Sequence, residues 1–385
     1  MTSRQSSLSA CSENSSPILL DTVLQLLSER LKKLSYSGFF ATELDQYVNQ
    51  LRESVKLLQQ QLSETPLEAP LYTEVIESIW RATQFLTGTT SNRVPYEVTF
   101  LLRAVLLDWE HGDTIVTTSL NQSPDFYCER VGAAPGAVVE ALEIPGLSVN
   151  GHLVQMGVPE IFQHMPLLCT PLYHEVGHYI EEREGLIASL VVGHREALIS
   201  AMPSLKQFGP AQHQHVLLNY AIEHFCDLVA ASYVGECVSD YIIQWDHSTV
   251  ANPTHPAAKD RAAVTRDYLA GTPNALVDLL KTALSESHLN TRLDVKFSLP
   301  ALQDCFSDVR PVVVSSIAEL HGILPAADAF LKQLRSDPDS FHGTKISRVA
   351  SKQYAHLIND LIEKSIRNYM IAKAWDESLD KKANP

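Results

Sequence analysis

The chain has 385 residues, 45% of them hydrophobic and 19% charged, which is enough apolar mass to build a core of one or two domains. Its formal net charge of −15 argues against non-specific nucleic-acid binding, which needs basic surface. No run reaches the ~18 uninterrupted apolar residues of a membrane span, so none is expected.

The first residues lack the apolar stretch of a secretory signal. The six cysteines (Cys11, Cys128, Cys169, Cys226, Cys237 and Cys305) show no C-x-x-C spacing. They read as reduced thiols of a cytoplasmic protein rather than a disulfide framework.

Residues 1–17 are rich in Ser and other polar residues and are expected to be disordered. A helical region follows over 18–92. Leu20, Val23, Leu24, Leu27, Leu31 and Leu34 recur at helical spacing in the first helix. Leu44, Val48, Leu51, Val55, Leu58 and Leu62 form a 4-3-4-3-4 heptad stripe in the second, 41–62. The turn at 35–40 contains Gly38, so the two helices are expected to form an antiparallel hairpin. The stripe can pack on the rest of the chain, or it can present a surface for a protein partner or a second copy. Further helices are expected at 72–86 and 95–109.

Residues 113–119 (DTIVTTS) are β-branched and short, as a strand should be. Residues 146–158 read as a second strand or a hairpin. A helix is expected from Thr170-Pro171, a cap and first-turn proline pair, to Gly185, a natural residue to end on. It carries His174-Glu175-Val176-Gly177-His178, which fits H-E-x-x-H. Positions i and i+4 lie on one helix face. Two imidazoles so placed can share a Zn²⁺, with Glu175 beside them to take a proton from a bound water. A lone match to so short a pattern is weak.

A catalytic zinc usually takes three protein ligands. The metzincin pattern needs Gly at position 181 and His at 184, where this chain has Glu181 and Glu184. A Glu on a later helix is the alternative. The run Ala221-Ile222-Glu223-His224-Phe225-Cys226-Asp227-Leu228-Val229-Ala230 is apolar around two carboxylates four apart, and buried carboxylates need a partner or a metal. Glu223 can bind the metal, and Asp227 can accept the distal N–H of a ligand histidine. His224 points about 100° away from Glu223 on a helix and reads as a packed residue. His194 with Glu196 is a weaker alternative, with no carboxylate four residues on. A third segment, Asn252-Pro253-Thr254-His255-Pro256, precedes a helix over Ala257–Leu269. Pro256 suits a first helical position with Thr254 or His255 at the cap. His255 also suits a donor to a tetrahedral oxyanion, and the two readings are compatible.

Taken in order, H-E-x-x-H, then E-x-x-x-D, then T-H-P with Arg261 six residues after the His, resembles the gluzincin metallopeptidases. The nearest group holds the CAAX prenyl proteases, the heat-shock membrane proteases and their small soluble relatives. The resemblance covers roughly 170–261. It implies a zincin-like core with His174, His178 and Glu223 as zinc ligands and Glu175 as general base. It also implies Asp227 behind a ligand histidine, and His255 and Arg261 near the active site. The membrane-spanning helices of those proteases are not seen here, so their substrates do not carry over.

Past Arg261, helices are expected at 272–287, 312–324, 326–335 and 347–374, with a frayed polar tail at 376–385. The expected protein is thus mostly helical α+β. A zincin-like core spans 93–270, with a small sheet before the active-site helix, and a C-terminal helical region spans 271–375. The expected function is zinc-dependent hydrolysis of a peptide or protein substrate. The alternative is a zincin-fold regulatory or partner-binding protein with absent or restricted proteolysis. A deformylase fits worse, because neither Cys169 nor Cys226 lies in a motif of that kind.

Overall fold

In the computed structural model, the described residues are 17–37, 42–64, 69–89, 95–131, 136–149, 152–209, 213–245 and 251–383. The disorder expected for the N-terminus falls outside them, except that Pro17 already begins a helix. Residues 38–40 of the expected 35–40 turn, with Gly38, also lie outside.

The chain is mostly helical with one small sheet. The helices, in order, are α1 (Pro17–Leu34), α2 (Thr42–Glu64), α3 (Ala69–Thr89), α4 (Tyr96–Asp108), α5 (Gly136–Ala141), α6 (Pro171–Glu184), α7 (Leu186–Ala201), α8 (His213–Val234), α9 (Cys237–Trp245), α10 (Ala258–Ala270), α11 (Ala275–Ser285), α12 (Gln303–Ser307), α13 (Ile317–Ser336) and α14 (Tyr354–Ala383). The strands are β1 (Ile115–Asn121), β2 (Tyr127–Arg130) and β3 (Leu153–Pro159). Among the described residues no helix is long and apolar enough to cross a membrane.

The chain divides into two compact units, one from positions 1–94, 113–121 and 129–157, the other from 95–112, 122–128 and 158–385. This grouping departs from the expected division. Most of the sheet belongs with the N-terminal helices, and the C-terminal helices belong with α6 and α8.

In the first unit, Leu44, Val48, Leu51, Val55 and Leu58 of the heptad stripe are buried with Leu24, Leu27 and Leu31 of α1, Val75 and Ile79 of α3, and Leu153 of β3. The stripe is therefore core, and the partner surface considered for it is not available on that face. The strand order is β1-β3-β2. β3, the strand next before α6, is central and buried along its whole length. The edges are β1 and β2. β2 and α5 had no counterpart in the sequence reading.

In the second unit, Gly185 ends α6 in the left-handed region at φ 63°, a conformation glycine reaches without strain. Helix α13 begins at Ile317 rather than at 312, because Ser316 caps it by accepting from the Glu319 N–H. It then continues through Pro325, where two helices were expected. The loss of one internal bond at a proline costs ~3 kcal/mol. Burial of Leu320, Ile323, Leu324, Ala327, Phe330 and Leu334, at roughly 1.5–3 kcal/mol per large side chain, outweighs it. The expected frayed tail is helical through Ala383.

Candidate metal and catalytic site

The site belongs wholly to the second unit and is built where α6 crosses α8. The crossing is close because of Gly177. A Cβ placed on it would lie 2.7 Å from the Cys226 Cα, 3.0 Å from its Cβ and 3.2 Å from its Sγ. One of the two unspecified positions of H-E-x-x-H thus lets the two helix backbones approach. The approach brings the ligand candidates of α6 to those of α8.

The His174 and His178 Nε2 atoms are 3.0 Å apart. Glu223 Oε2 is 3.4 Å from His174 Nε2, and its Oε1 is 3.5 Å from His178 Nε2. Ligands ~2.1 Å from a zinc at tetrahedral angles stand roughly 3.4 Å from each other, so the two Glu223 spacings match one ion and the two imidazoles lie slightly closer than it would hold them. Behind them, His174 Nδ1 is 2.9 Å from Asp227 Oδ1. That contact places the ring proton on Nδ1 and leaves the Nε2 lone pair turned to the shared point. Arg261 grips Asp227 with both arms, Nε to Oδ2 at 2.7 Å and Nη2 to Oδ1 at 2.6 Å. The Nη2 contact to His174 Nδ1 at 3.4 Å is then two donors side by side, because both already serve Asp227.

Arg261 Nη1 also lies 3.2 Å from Glu223 Oε2, but without hydrogen-bond alignment, so this buried oxygen has no aligned partner. An ion pair without a directed bond is the better description, and such an oxygen is suited to a cation. Burial raises the pKa of Glu223, but His174, His178 and Arg261 outweigh it and hold the carboxyl well below its usual range. Burial acts the same way on Asp227, and the Arg261 charge overrides it, so this carboxyl too is driven down. Two ionised carboxylates against one guanidinium leave negative charge in a closed space, which requires a compensating cation. Without a metal a proton serves. Burial disfavours the charged His174 ring, yet its bonds to Asp227 and Glu223 push its pKa up to about 9. A metal would displace that proton.

Three of the site candidates are less buried than the rest. Glu175 and His178 are half-buried. His255 has a side chain 42% exposed, and its Nε2 is 3.4 Å from Glu223 Oε1. Helix α10 starts at Ala258 with Ala257 as its cap. The expectation that Pro256 occupies the first helical position, with Thr254 or His255 capping, is therefore corrected. The structure thus brings together His174, His178, Glu223, Asp227, His255 and Arg261, with Glu175 next to His174 in α6.

The other residues weighed lie apart. His224 is buried, its imidazole pushed down to about 4 mainly by burial. His194 faces Glu286 at 3.6 Å, and Glu196 is exposed beside Arg195. The two positions that exclude the metzincin pattern have other uses. Glu181 accepts from the Ile187 N–H at the start of α7, and Glu184 meets His111 at 3.4 Å and His288 at 3.2 Å.

Sequence reasoning set Cys226 aside as a ligand and gave Asn252 no role. Cys226 is buried, and its Sγ forms with His174 and His178 a group whose ligand atoms all lie within 4.8 Å of one another. Its place three residues after Glu223, on the same helix side, was the available signal. Asn252 organises the loop before His255 and stood in view within the Asn-Pro-Thr-His-Pro run. Comparison with protein-family models, with curated proteins and with solved structures found no match.

Proposed function

We propose that this chain is a zinc metallopeptidase of the gluzincin type, with His174, His178 and Glu223 as metal ligands. The observation that carries the reading is the convergence of two imidazole Nε2 atoms and one carboxylate at 3.0–3.5 Å, with Glu175 on the adjoining position of the same helix. A bound Zn²⁺ would polarise the scissile carbonyl and acidify a water.

The residues do the rest. Glu175 takes a proton from the attacking water as its oxygen joins the carbonyl carbon. It passes that proton to the amine nitrogen as the C–N bond breaks. His255 donates toward the carbonyl oxygen as charge develops there. Asp227, held by Arg261, keeps His174 in the tautomer that presents Nε2 to the metal. The substrate class is a peptide or unfolded protein. The described cysteines are all free, which supports a reducing compartment such as the cytoplasm.

A second reading of the metal set, His174, His178 and Cys226, is favoured by the proximity of the buried thiol. The Glu223 set fits better, because its oxygens already stand at ligand spacing and carry charge. The peptidase reading is tested by incubating the protein and its Glu175→Gln variant with a denatured protein mixture and mapping new termini by mass spectrometry. Cleavages made by wild type and absent with the variant support it. Identical products from both, or none from either, refute it and favour a binding or regulatory role.

A further inference from the structure

The loop that presents His255 is organised by one side chain. Asn252 Oδ1 accepts from the Thr254 N–H at 2.8 Å, the Thr254 hydroxyl at 2.7 Å and the His255 N–H at 2.9 Å. The Asn252 N–H donates to the His255 carbonyl at 3.0 Å. The turn is therefore closed from both ends, and the prolines on either side of Thr254-His255 restrict their own φ. Thr254 Oγ1 also lies 2.8 Å from His255 Nδ1; its one proton can serve either acceptor, and donated to Nδ1 it orients the ring and leaves the ring proton on Nε2, the atom that has to donate.

The turn is then fastened to α8. The Tyr220 hydroxyl donates to the Asn252 carbonyl at 2.9 Å, and Asn219 Nδ2 donates to the Pro253 carbonyl at 3.1 Å. Tyr220 and Asn219 stand three and four residues before Glu223, hence on its helix face. The same rigid face thus carries the ligand carboxylate and the anchors of the loop. This explains why His255 Nε2 arrives 3.4 Å from Glu223 Oε1 although 32 residues separate the two in sequence.

We propose that Asn252, anchored by Tyr220 and Asn219, is a positioning residue. It aims His255 Nε2 at the oxygen that becomes charged during hydrolysis. The inference rests on the peptidase reading of the site. It assigns Asn252 an effect on turnover and none on metal or substrate binding, because none of its bonds reaches a ligand.

The test compares full-length wild type with Asn252→Ala, Asn252→Asp, Tyr220→Phe, His255→Ala and the Asn252→Ala/His255→Ala double variant, on a peptide cleaved by wild type. Zinc content and amide hydrogen exchange are measured alongside. Asn252→Ala should lower kcat by about 10- to 100-fold, the scale of an ångström of misplacement, with KM and zinc content unchanged. Exchange at Thr254 and His255 should quicken. Asn252→Asp keeps the acceptor and should restore kcat and protection, and Tyr220→Phe should fall between. In the His255→Ala background, Asn252→Ala should add no further loss.

A wild-type kcat in Asn252→Ala, an equal additional loss when His255 is absent, or unchanged exchange overturns the inference and leaves the peptidase reading standing. Failure of wild type to cleave any peptide overturns that reading, and this inference with it.

Discussion

Gly177→Ala probes the site through packing alone, since it removes no ligand and adds no charge. The new methyl would sit 2.7 Å from the Cys226 Cα, whereas carbon contacts are comfortable at about 3.5–4.0 Å. The obstacle is helix backbone and cannot rotate away, so α6 and α8 must part by about 1 Å. Overpacking of this kind costs ~1–3 kcal/mol. Metal–ligand distances tolerate only about ±0.2 Å, so much of that cost should fall on the ion. At about 1.4 kcal/mol per decade, zinc affinity should drop roughly 5- to 100-fold. The assay is zinc competition against a chromogenic chelator, with thermal melting of the metal-free protein in parallel. Gly193→Ala on α7, where a Cβ meets nothing within 4 Å, is the control and should bind zinc as wild type does. If Gly177→Ala also binds zinc at wild-type affinity and melts at the wild-type temperature, the close crossing does not set the ligand geometry.

Asp227→Asn should weaken zinc affinity by about 10- to 100-fold without abolishing the site, and unaltered affinity would remove Asp227 from it. Cys226→Ser should retain zinc at full stoichiometry, whereas loss of the ion would transfer the third ligand position from Glu223 to the thiol. His321 is buried, 3.1 Å from the Tyr173 hydroxyl, and burial, opposed by Asp108, pushes its imidazole down to about 3. The unfolded chain takes that proton near pH 6.5 and the folded one only near 3. Stability present above about pH 6.5 is therefore lost on acidification through this window. His321→Phe should flatten the acid limb of denaturant-measured stability by one proton, about 1.4 kcal/mol per pH unit, and an unchanged slope would contradict this.

Local signals were legible in the sequence, and pairings between distant segments were not. Pro171 at the first position and left-handed Gly185 after the last bounded α6 as read, but Thr170 does not cap it, since its hydroxyl donates back to the Leu167 carbonyl. Glu223 and Asp227 were legible because carboxylates among Ala, Ile, Phe, Leu and Val demand partners. Asp227 was expected to meet one of the two histidines, and in the structure it lies 2.9 Å from His174. The central place of β3 was not legible, since strand order depends on contacts between distant segments. β2 has only four residues and offers too few positions for alternation. Pro325 suggested a break, but burial on both sides carried α13 through it. Asn252 bonds across two and three residues and forms no periodic pattern, so its role became visible only with the hydrogen bonds themselves.

Elemental analysis of the purified full-length chain beside His174→Ala and Glu223→Ala tests the central claim most directly. Wild type should carry about one zinc per chain at a three-ligand site, and each variant should carry little or none while remaining folded by circular dichroism. A wild type that takes up no zinc when supplied with it, or folded variants that keep the full complement, would contradict the claim.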